Sequence, residues 1–574
     1  MRLESEGTIL GRGNGAHVRI TDSGVSRMHV KLWRGPEGSF LIQDLGSANG
    51  TILNGRRLTE IAELREGDKI QVGPTTVYRF TLFDAIDEKY HRDVGQAMMG
   101  ATGEWSVTKV TSEILPSTVW TLDGWKTKPM AQGVEYDEPR ELDRVLEKLR
   151  ALPPLVTSWE VEDLRRQLAD AEEGRRFVLQ GGDCAEVHQD CESTKITNKL
   201  KILIQMSLVL IRGGGRPVTR VGRFAGQYAK PRSKPTETRN GVELRSYLGD
   251  LINHPEFTEE GRRPDPQLLL QSYYHSALTL NFVRAMSNAA FSDLRRSDHF
   301  DLSYFERAEL PPSLRMDYKR LCREMNEGLQ FLRAVGDQSN NDLFKVSFFT
   351  SHEGLNLQYE SAQTCTVPNR TGYYDLTTHM PWIGERTRSL DGAHVEFFRG
   401  IRNPVGVKIG PTTDPQSLVN LAYVLNPLNE RGKLVFITRL GAANVERVLP
   451  PLIEALKRAN RRALWICDPM HGNTISTKSG VKTRNFDDIL TEITAAMTVH
   501  EAHESYCGGV HFELTGEDVT ECIGGGIGEE DLSKNYGTAC DPRLNYRQAL
   551  QMAFCVADQL KAGRRPPSMI PPSL

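Results

Sequence analysis

Cys184, His471, Glu513 and Asp541 are the side chains of this sequence whose types could jointly hold a metal ion. One thiolate, one imidazole and two carboxylates suit Mn²⁺, Co²⁺, Fe²⁺ or Zn²⁺ rather than Ca²⁺, which takes oxygen ligands alone. A second group is cationic: Arg223, Lys230, Arg232, Arg386, Lys408 and Arg439. A lone Cys or His is usually a packing residue, and most Arg and Lys side chains are solvated. Lys408 in GVKIG and Arg439 in FITRLG differ, because apolar residues flank them. A cation in such surroundings needs a counter-anion. Several together predict a substrate with more than one phosphate or carboxylate.

Most of these residues sit at, or just beyond, the end of a short apolar run, with Asp541 beyond the last. The runs are FVLQGGDC, PVTRVGR, KVSFFTSHE, HMPWIGE, PVGVKIGP, LVFITRLG, ALWICDPMH and VHFELTGE. Their reactive ends are Cys184, Arg223, His352 with Glu353, Glu385, Lys408, Arg439, His471 and Glu513. Helical patterns separate most of them. In ANVERVLPPLIEALKRA, for example, Val445, Val448, Leu449, Leu452, Ile453 and Leu456 form one apolar stripe. Eight strands alternating with helices predict a parallel (β/α)8 barrel, an α/β fold that gathers all eight strand ends on one face. Glu513 alternates with apolar neighbours, so it points inward and needs a partner that a divalent cation would provide.

The 574 residues exceed one ordinary core. Strand-like segments HVRI, MHVKLW, SFLIQDL, KIQV and TVYRFTLF, separated by Gly, Asn, Asp and Ser, predict a small all-β sandwich over residues 1–83. Residues 84–104 read as a linker, with DEKYHRDVGQAMM able to form a helical turn or more, and 105–176 as a helical extension. The barrel occupies 177–574, with an insertion near 239–343 holding helices over 266–287 and 313–335. DEPRELDRVLEKLRAL places Leu142, Val145, Leu146 and Leu149 on one helix face, and NYRQALQMAFCVADQLKA reads as a closing helix.

Composition excludes some classes of function. A formal charge of −3, from 71 basic and 74 acidic side chains, carries no footprint for nucleic acid or an anionic membrane. The apolar stretch near 202–211 is too short to span a bilayer, the N-terminus lacks a signal pattern, and nine unevenly spaced cysteines are not a disulfide framework. A cytoplasmic protein with free thiols is expected. Gly525, Gly526 and Gly528 lack the Lys-Ser/Thr of a nucleotide P-loop. Cys540 directly precedes Asp541, so oxidation could join it to Cys184 and expel a metal.

In the N-terminal module, Gly11-Arg12, Ser26-Arg27-Met28-His29 and Gly46-Ser47-Ala48-Asn49-Gly50-Thr51, followed by Asn54-Gly55, recur at loop positions. Any one of them reads as a β-turn. Together they resemble a forkhead-associated domain, a phosphothreonine-peptide reader. The resemblance implies that Arg12, Ser26 and Arg27 contact phosphate, that Asn49 holds the peptide backbone and that His29 is structural. Few residues precede Gly11, so the first strand is expected to be short.

The strings LQGGDCAE, RVGRFAGQYAKPRS, SHEGLNLQYE, WIGERTRSLDGAH, NPVGVKIGP, CDPMHGNT, HFELTGEDVTEC and CDPRLN resemble the class II, plant-type 3-deoxy-D-arabino-heptulosonate 7-phosphate (DAHP) synthases, from about residue 105 to the C-terminus. The resemblance implies a homo-oligomeric enzyme of the shikimate pathway that condenses phosphoenolpyruvate with D-erythrose 4-phosphate and water. It implies Cys184, His471, Glu513 and Asp541 as ligands of a divalent metal, Mn²⁺ foremost. Arg223, Glu385, Arg386, Lys408 and Arg439 would hold phosphoenolpyruvate, with Lys408, Glu385 and Arg439 the catalytic set. Lys230, Arg232 and Ser233 are the candidates for the erythrose 4-phosphate end. A synthase acting on another aldose phosphate and an inactive phosphopeptide-binding scaffold are the alternatives. His352 and Glu353 receive no role.

Overall fold

Alternation of buried and exposed side chains builds the first unit. Val30 and Leu32 are buried on one side of Val30–Arg34, and Ile70 and Val72 on one side of Lys69–Val72. The structure, a computed structural model, describes residues 7–80, 120–288 and 347–562, apart from 14, 21–23, 36–38, 65–67, 73–75, 369 and 539, together with a few helical positions between 312 and 324. Backbone contacts divide the chain into Met1–Val110 and Thr111–Leu574.

In the first unit a sheet of five strands, Thr8–Gly11, Val18–Arg19, Val30–Arg34, Phe40–Asp44 and Ala62–Leu64, faces one of four, Thr51–Leu53, Arg56–Arg57, Lys69–Val72 and Thr76–Arg79. Leu10, Val30, Leu32, Ile42, Ile70 and Val72 fill the space between them. The expected strands all form where they are described, and the first, Thr8–Gly11, is short, with four residues. Asn54 and Gly55 take positive φ of 50° and 82° and turn the chain between Thr51–Leu53 and Arg56–Arg57.

In the second unit, all eight expected runs form parallel strands: Phe177–Gly182, Val218–Arg223, Phe349–Thr350, Trp382–Ile383, Val405–Ile409, Leu434–Thr438, Leu464–Cys467 and Cys507–Glu513. The first pairs with both the second and the eighth. A parallel bridge between Glu353 and Trp382, with Trp382 N donating to His352 O at 2.9 Å, joins the third strand to the fourth and closes the barrel. Inward positions change character along the strands. Val178, Val435, Ile437, Leu464 and Ile466 belong to one apolar cluster with Leu164, Leu168 and Ala171 of the helix Ser158–Glu172. That helix therefore plugs the end where the strands begin. Gln180 and His511 follow, then Arg223, Lys408, Asp468 and Glu513 at the opposite end. Val405, Val407 and Ile409 are buried in the main helical core.

The helices also follow their sequence patterns. Pro139–Ala151 buries Leu142, Val145, Leu146 and Leu149, and Val445–Arg458 buries all six of its expected stripe. Thr157 and Glu160 cap Ser158–Glu172 reciprocally. Gln267–Asn288 and Tyr546–Ala562 occupy the expected positions. The insertion begins with a feature that was not anticipated, a hairpin pairing Thr236–Arg239 with Val242–Arg245. The expected linker at 84–104 and most of the helix expected over 313–335 lie outside the described residues. Among the described residues no helix is long and apolar enough to cross a membrane.

Candidate active site

The strand ends surround a cavity of about 930 Å³. Cys184 lies just past the first strand, Glu513 ends the eighth, His471 follows the seventh, and Asp541 arrives from the loop before the closing helix. The donor atoms of Cys184, Glu513 and Asp541 lie within 4.8 Å of one another, and His471 Nε2 is 2.9 Å from Glu513 Oε1. Register explains part of this convergence: Gly182 is paired with Arg223 on one side and Glu513 on the other. A Cβ at Gly182, where φ is 150°, would meet Arg223 O at 2.7 Å, so the missing side chain lets these neighbours close over it.

Burial alone would raise the Glu513 carboxyl, but His471, Lys230, Arg484 and Arg223 outweigh it and hold the pKa well below the usual range. Asp541 is likewise lowered, mainly by Lys230 working against burial. Cys184 goes the other way: burial, a hydrogen bond with Cys540 and the Glu513 charge all push its thiol up. The described cysteines, Cys184 and Cys540 among them, are free. Lys230 Nζ donates to Cys184 Sγ and, at 2.5 Å, to Asp541 Oδ2, and stands 3.9 Å from Glu513 Oε1. A cation thus occupies the point on which the donors converge, and their S, N, O chemistry fits a borderline divalent metal.

Asp468, absent from the residues expected to form the site, ties its two halves together. It is fully buried and accepts from Met470 N and His471 N, from His471 Nδ1 at 2.7 Å, and from Lys408 Nζ. With Nδ1 engaged, the other nitrogen of His471 is turned to the donor cluster. Asp468 stays ionised because His471 and Lys408 overcome the effect of burial. Burial pushes Lys408 down to about 8 despite Asp468.

The other cations line the same cavity. Arg223, 2% exposed, bonds Cys184 O at 2.9 Å and Glu513 Oε1 at 3.1 Å and meets His511 Nε2 at 2.6 Å, with its guanidinium 5.2 Å from the Trp382 ring. Arg439 donates to His471 O at 2.8 Å. Arg386 donates to Ser233 Oγ at 2.8 Å, and Gln132 Oε1 of the helical extension accepts from Arg232 N at 2.9 Å. Glu385 lines the cavity and pairs with Arg388. The loops carrying Arg439 and His471 share one clamp. Glu492 accepts from Leu440 N, Gly441 N and Asn473 Nδ2 at 2.8–2.9 Å.

The two residues left without a role separate. Glu353 lines the cavity, and burial raises its carboxyl against Lys408 and Lys230. His352 turns away, its Nε2 2.9 Å from Glu360 Oε1. Asp468 carried one signal in sequence, its place three residues before His471. The Thr236–Arg245 hairpin, which lines the rim through Thr236, Glu237, Thr238 and Glu243, carried none.

The first unit has its own candidate surface. Arg12 and Arg27 are exposed, and the two loops are stitched by Arg12 N to Ser26 O and Gly13 N to Arg27 O, both 3.0 Å. Ser26 Oγ accepts from Ala48 N at 2.9 Å, and Asn49 Nδ2 donates to Gly24 O at 2.8 Å. His29 is fully buried. Its Nδ1 accepts from Ser26 N at 3.0 Å and its Nε2 faces Gly50 O at 3.2 Å, which makes it a strut between the loops. A Cβ on Gly11 would meet Arg27 O at 2.3 Å, so glycine permits this approach.

Comparison with known proteins gives two family matches. The class-II DAHP synthetase family matches residues 120–557 and the FHA domain matches 8–73. A phospho-2-dehydro-3-deoxyheptonate aldolase of Neurospora crassa is 44% identical over 464 residues, 78% of this chain and 95% of the relative. One of Streptomyces coelicolor is 47% identical over 440 residues, 76% and 96%. The AroG enzyme of that name from Mycolicibacterium smegmatis is 41% identical over 447 residues, 77% and 94%.

Proposed function

We propose, from the premise that this chain belongs to the class-II DAHP synthetase family and carries an FHA domain, a role for each side chain of the cavity. The activity is that of a 3-deoxy-7-phosphoheptulonate synthase, which joins phosphoenolpyruvate to D-erythrose 4-phosphate with water and releases inorganic phosphate. A divalent metal, Mn²⁺ in our reading, would be held by Cys184, His471, Glu513 and Asp541 and would supply electrophilic activation of the aldehyde.

Arg223, Lys408 and Arg439 bind the anionic phosphoenolpyruvate, and Glu385 and Arg386 complete that cradle. Arg232, Ser233 and Lys230 take the phosphate of the aldose, with Arg386, bonded to Ser233, placed between the two anions. Bringing two anions together is the electrostatic obstacle to this reaction. Fixed cations remove it and set the line of attack of the enol carbon on the carbonyl. Asp468 holds Lys408 and His471 in a common frame. What carries the reading is the convergence of the Cys184, Glu513 and Asp541 donors beside a cation-lined cavity.

Arg12, Ser26 and Arg27 contact the phosphate of a phosphothreonine peptide and Asn49 its backbone. We divide the chain into a reader over 1–83, a connector over 84–104 and a self-associating synthase over 105–574. The test is consumption of phosphoenolpyruvate that requires erythrose 4-phosphate and stops with chelator. No turnover with added Mn²⁺ or Co²⁺ would sink the assignment, and faster turnover with another aldose phosphate would redirect it.

A further inference from the structure

Lys230 is placed between two jobs. Its backbone N is pinned to Leu248 O at 2.9 Å, and its loop continues into Arg232 and Ser233 on the cavity wall. Its ammonium instead reaches into the donor set, against Cys184 Sγ and Asp541 Oδ2. The neighbouring cations Arg223 and Arg484 also touch Glu513, but each has further anchors outside that set. Arg484 donates to Pro542 O and Thr474 Oγ1 as well as pairing with Glu513 Oε2 at 2.7 Å, and Arg223 donates to Cys184 O. Among the described residues, the hydrogen bonds of the Lys230 ammonium go to the donor side chains themselves. Lysine is a compact point charge on a flexible four-carbon stem, so it can move where a forked, multiply bonded guanidinium cannot.

A divalent cation and an ammonium compete for one small donor set, because like charges at such separations repel strongly. We propose that Lys230 is an exchangeable counter-ion. Its ammonium holds the donor set together when no metal is bound. Metal entry displaces it into the cavity, where it joins Arg232 and Ser233 in the aldose-phosphate site. This rests on the assignment of the donor set above and deepens it: the second substrate's cationic site is completed only after the metal is loaded. The order is useful, because the aldose phosphate is then bound where its carbonyl can be activated.

The exchange can be read without turnover. A brief pulse of amine acetylation followed by peptide mass spectrometry on the full-length protein should label Lys230 weakly in metal-free enzyme and severalfold more after Mn²⁺ loading. In parallel, Lys230→Met should bind Mn²⁺ about tenfold more tightly than wild type or better, the low end for releasing a close charge pair. Labelling that ignores Mn²⁺ overturns the exchange, as does Mn²⁺ binding no tighter in Lys230→Met. The first measurement uses wild-type protein and stands even where the variant folds poorly. Mn²⁺ binding that Cys184→Ser abolishes, with Lys230 labelling unchanged by the metal, leaves the donor set intact and removes only the exchange. Failure of wild type to bind Mn²⁺ removes both.

Discussion

Replacing Asp468 with asparagine removes a negative charge from a side chain that is fully buried and bonded on every side. The amide keeps the shape but offers one acceptor and two donors where two acceptors are needed. Oδ1 can still accept from Met470 N and His471 N. The amide nitrogen then faces Lys408 Nζ and His471 Nδ1, both of which donate in the native arrangement. Breaking a buried pair by removing one partner costs about 3–5 kcal/mol. The second unit spans Thr111–Leu574. With an unfolding entropy of roughly 2 cal/mol/K per residue, that loss lowers Tm by only about 3–5 °C. The functional effect is larger. Loss of an outer-shell partner of a metal-binding histidine typically weakens the metal by about 10–100-fold. Lys408, already lowered to about 8, loses the carboxylate that opposed that fall and becomes neutral at lower pH. Calorimetric titration with Mn²⁺, kcat/KM for phosphoenolpyruvate and a thermal melt together give the answer. A variant within twofold of wild type in both Mn²⁺ affinity and kcat/KM would refute the view that Asp468 couples the two halves of the site.

Further expectations follow from the same contacts. Burial places Lys408 near 8, so its ammonium is present below that pH and lost as pH rises through it. The kcat/KM for phosphoenolpyruvate should therefore fall above about pH 8, approaching tenfold per unit, and a flat profile to pH 9.5 would exclude Lys408 from the cradle. Glu492→Ala frees the donors of the loops carrying Arg439 and His471; a positional slip of this kind costs on the order of 10²-fold in kcat, and a fall below threefold would show the clamp to be dispensable. Arg12→Ala should abolish binding of phosphothreonine peptides in calorimetry and leave peptide-free turnover unchanged. The Cys184 and Cys540 thiols share a hydrogen bond, so diamide, accepting two electrons and two protons, should join them in metal-free protein; peptide mapping without that crosslink removes the idea.

Much of the architecture was legible because burial writes itself into sequence at two periods. The barrel strands are nearly continuous apolar runs, as strands covered on both faces must be, and the helix Val445–Arg458 announces its buried stripe at 3.6-residue spacing. The hairpin Thr236–Arg239 with Val242–Arg245 escaped because its strands are polar and mostly exposed, with no apolar alternation to betray them. Gln132 at Arg232 and Glu492 beneath two loops of the cavity escaped for another reason. Each acts through a hydrogen bond to backbone far away in the chain, and no local pattern records such a bond.

By itself, then, the sequence determined the two kinds of module, the eight strands and the residues at their ends, since strand length, alternation and turn chemistry are local properties. Which ends meet was decided by tertiary structure. Register set Gly182 between Arg223 and Glu513, and closure of the barrel brought Asp541 to Cys184 across more than half the chain. The same closure gave Glu353 to the cavity and turned His352 away, though they are neighbours, because adjacent residues of an extended chain point to opposite sides. It also drew Lys230 from the loop it shares with Arg232 and Ser233 to the side chains of Cys184 and Asp541. Opposite charges that sequence leaves far apart find one another only when the fold removes the water between them.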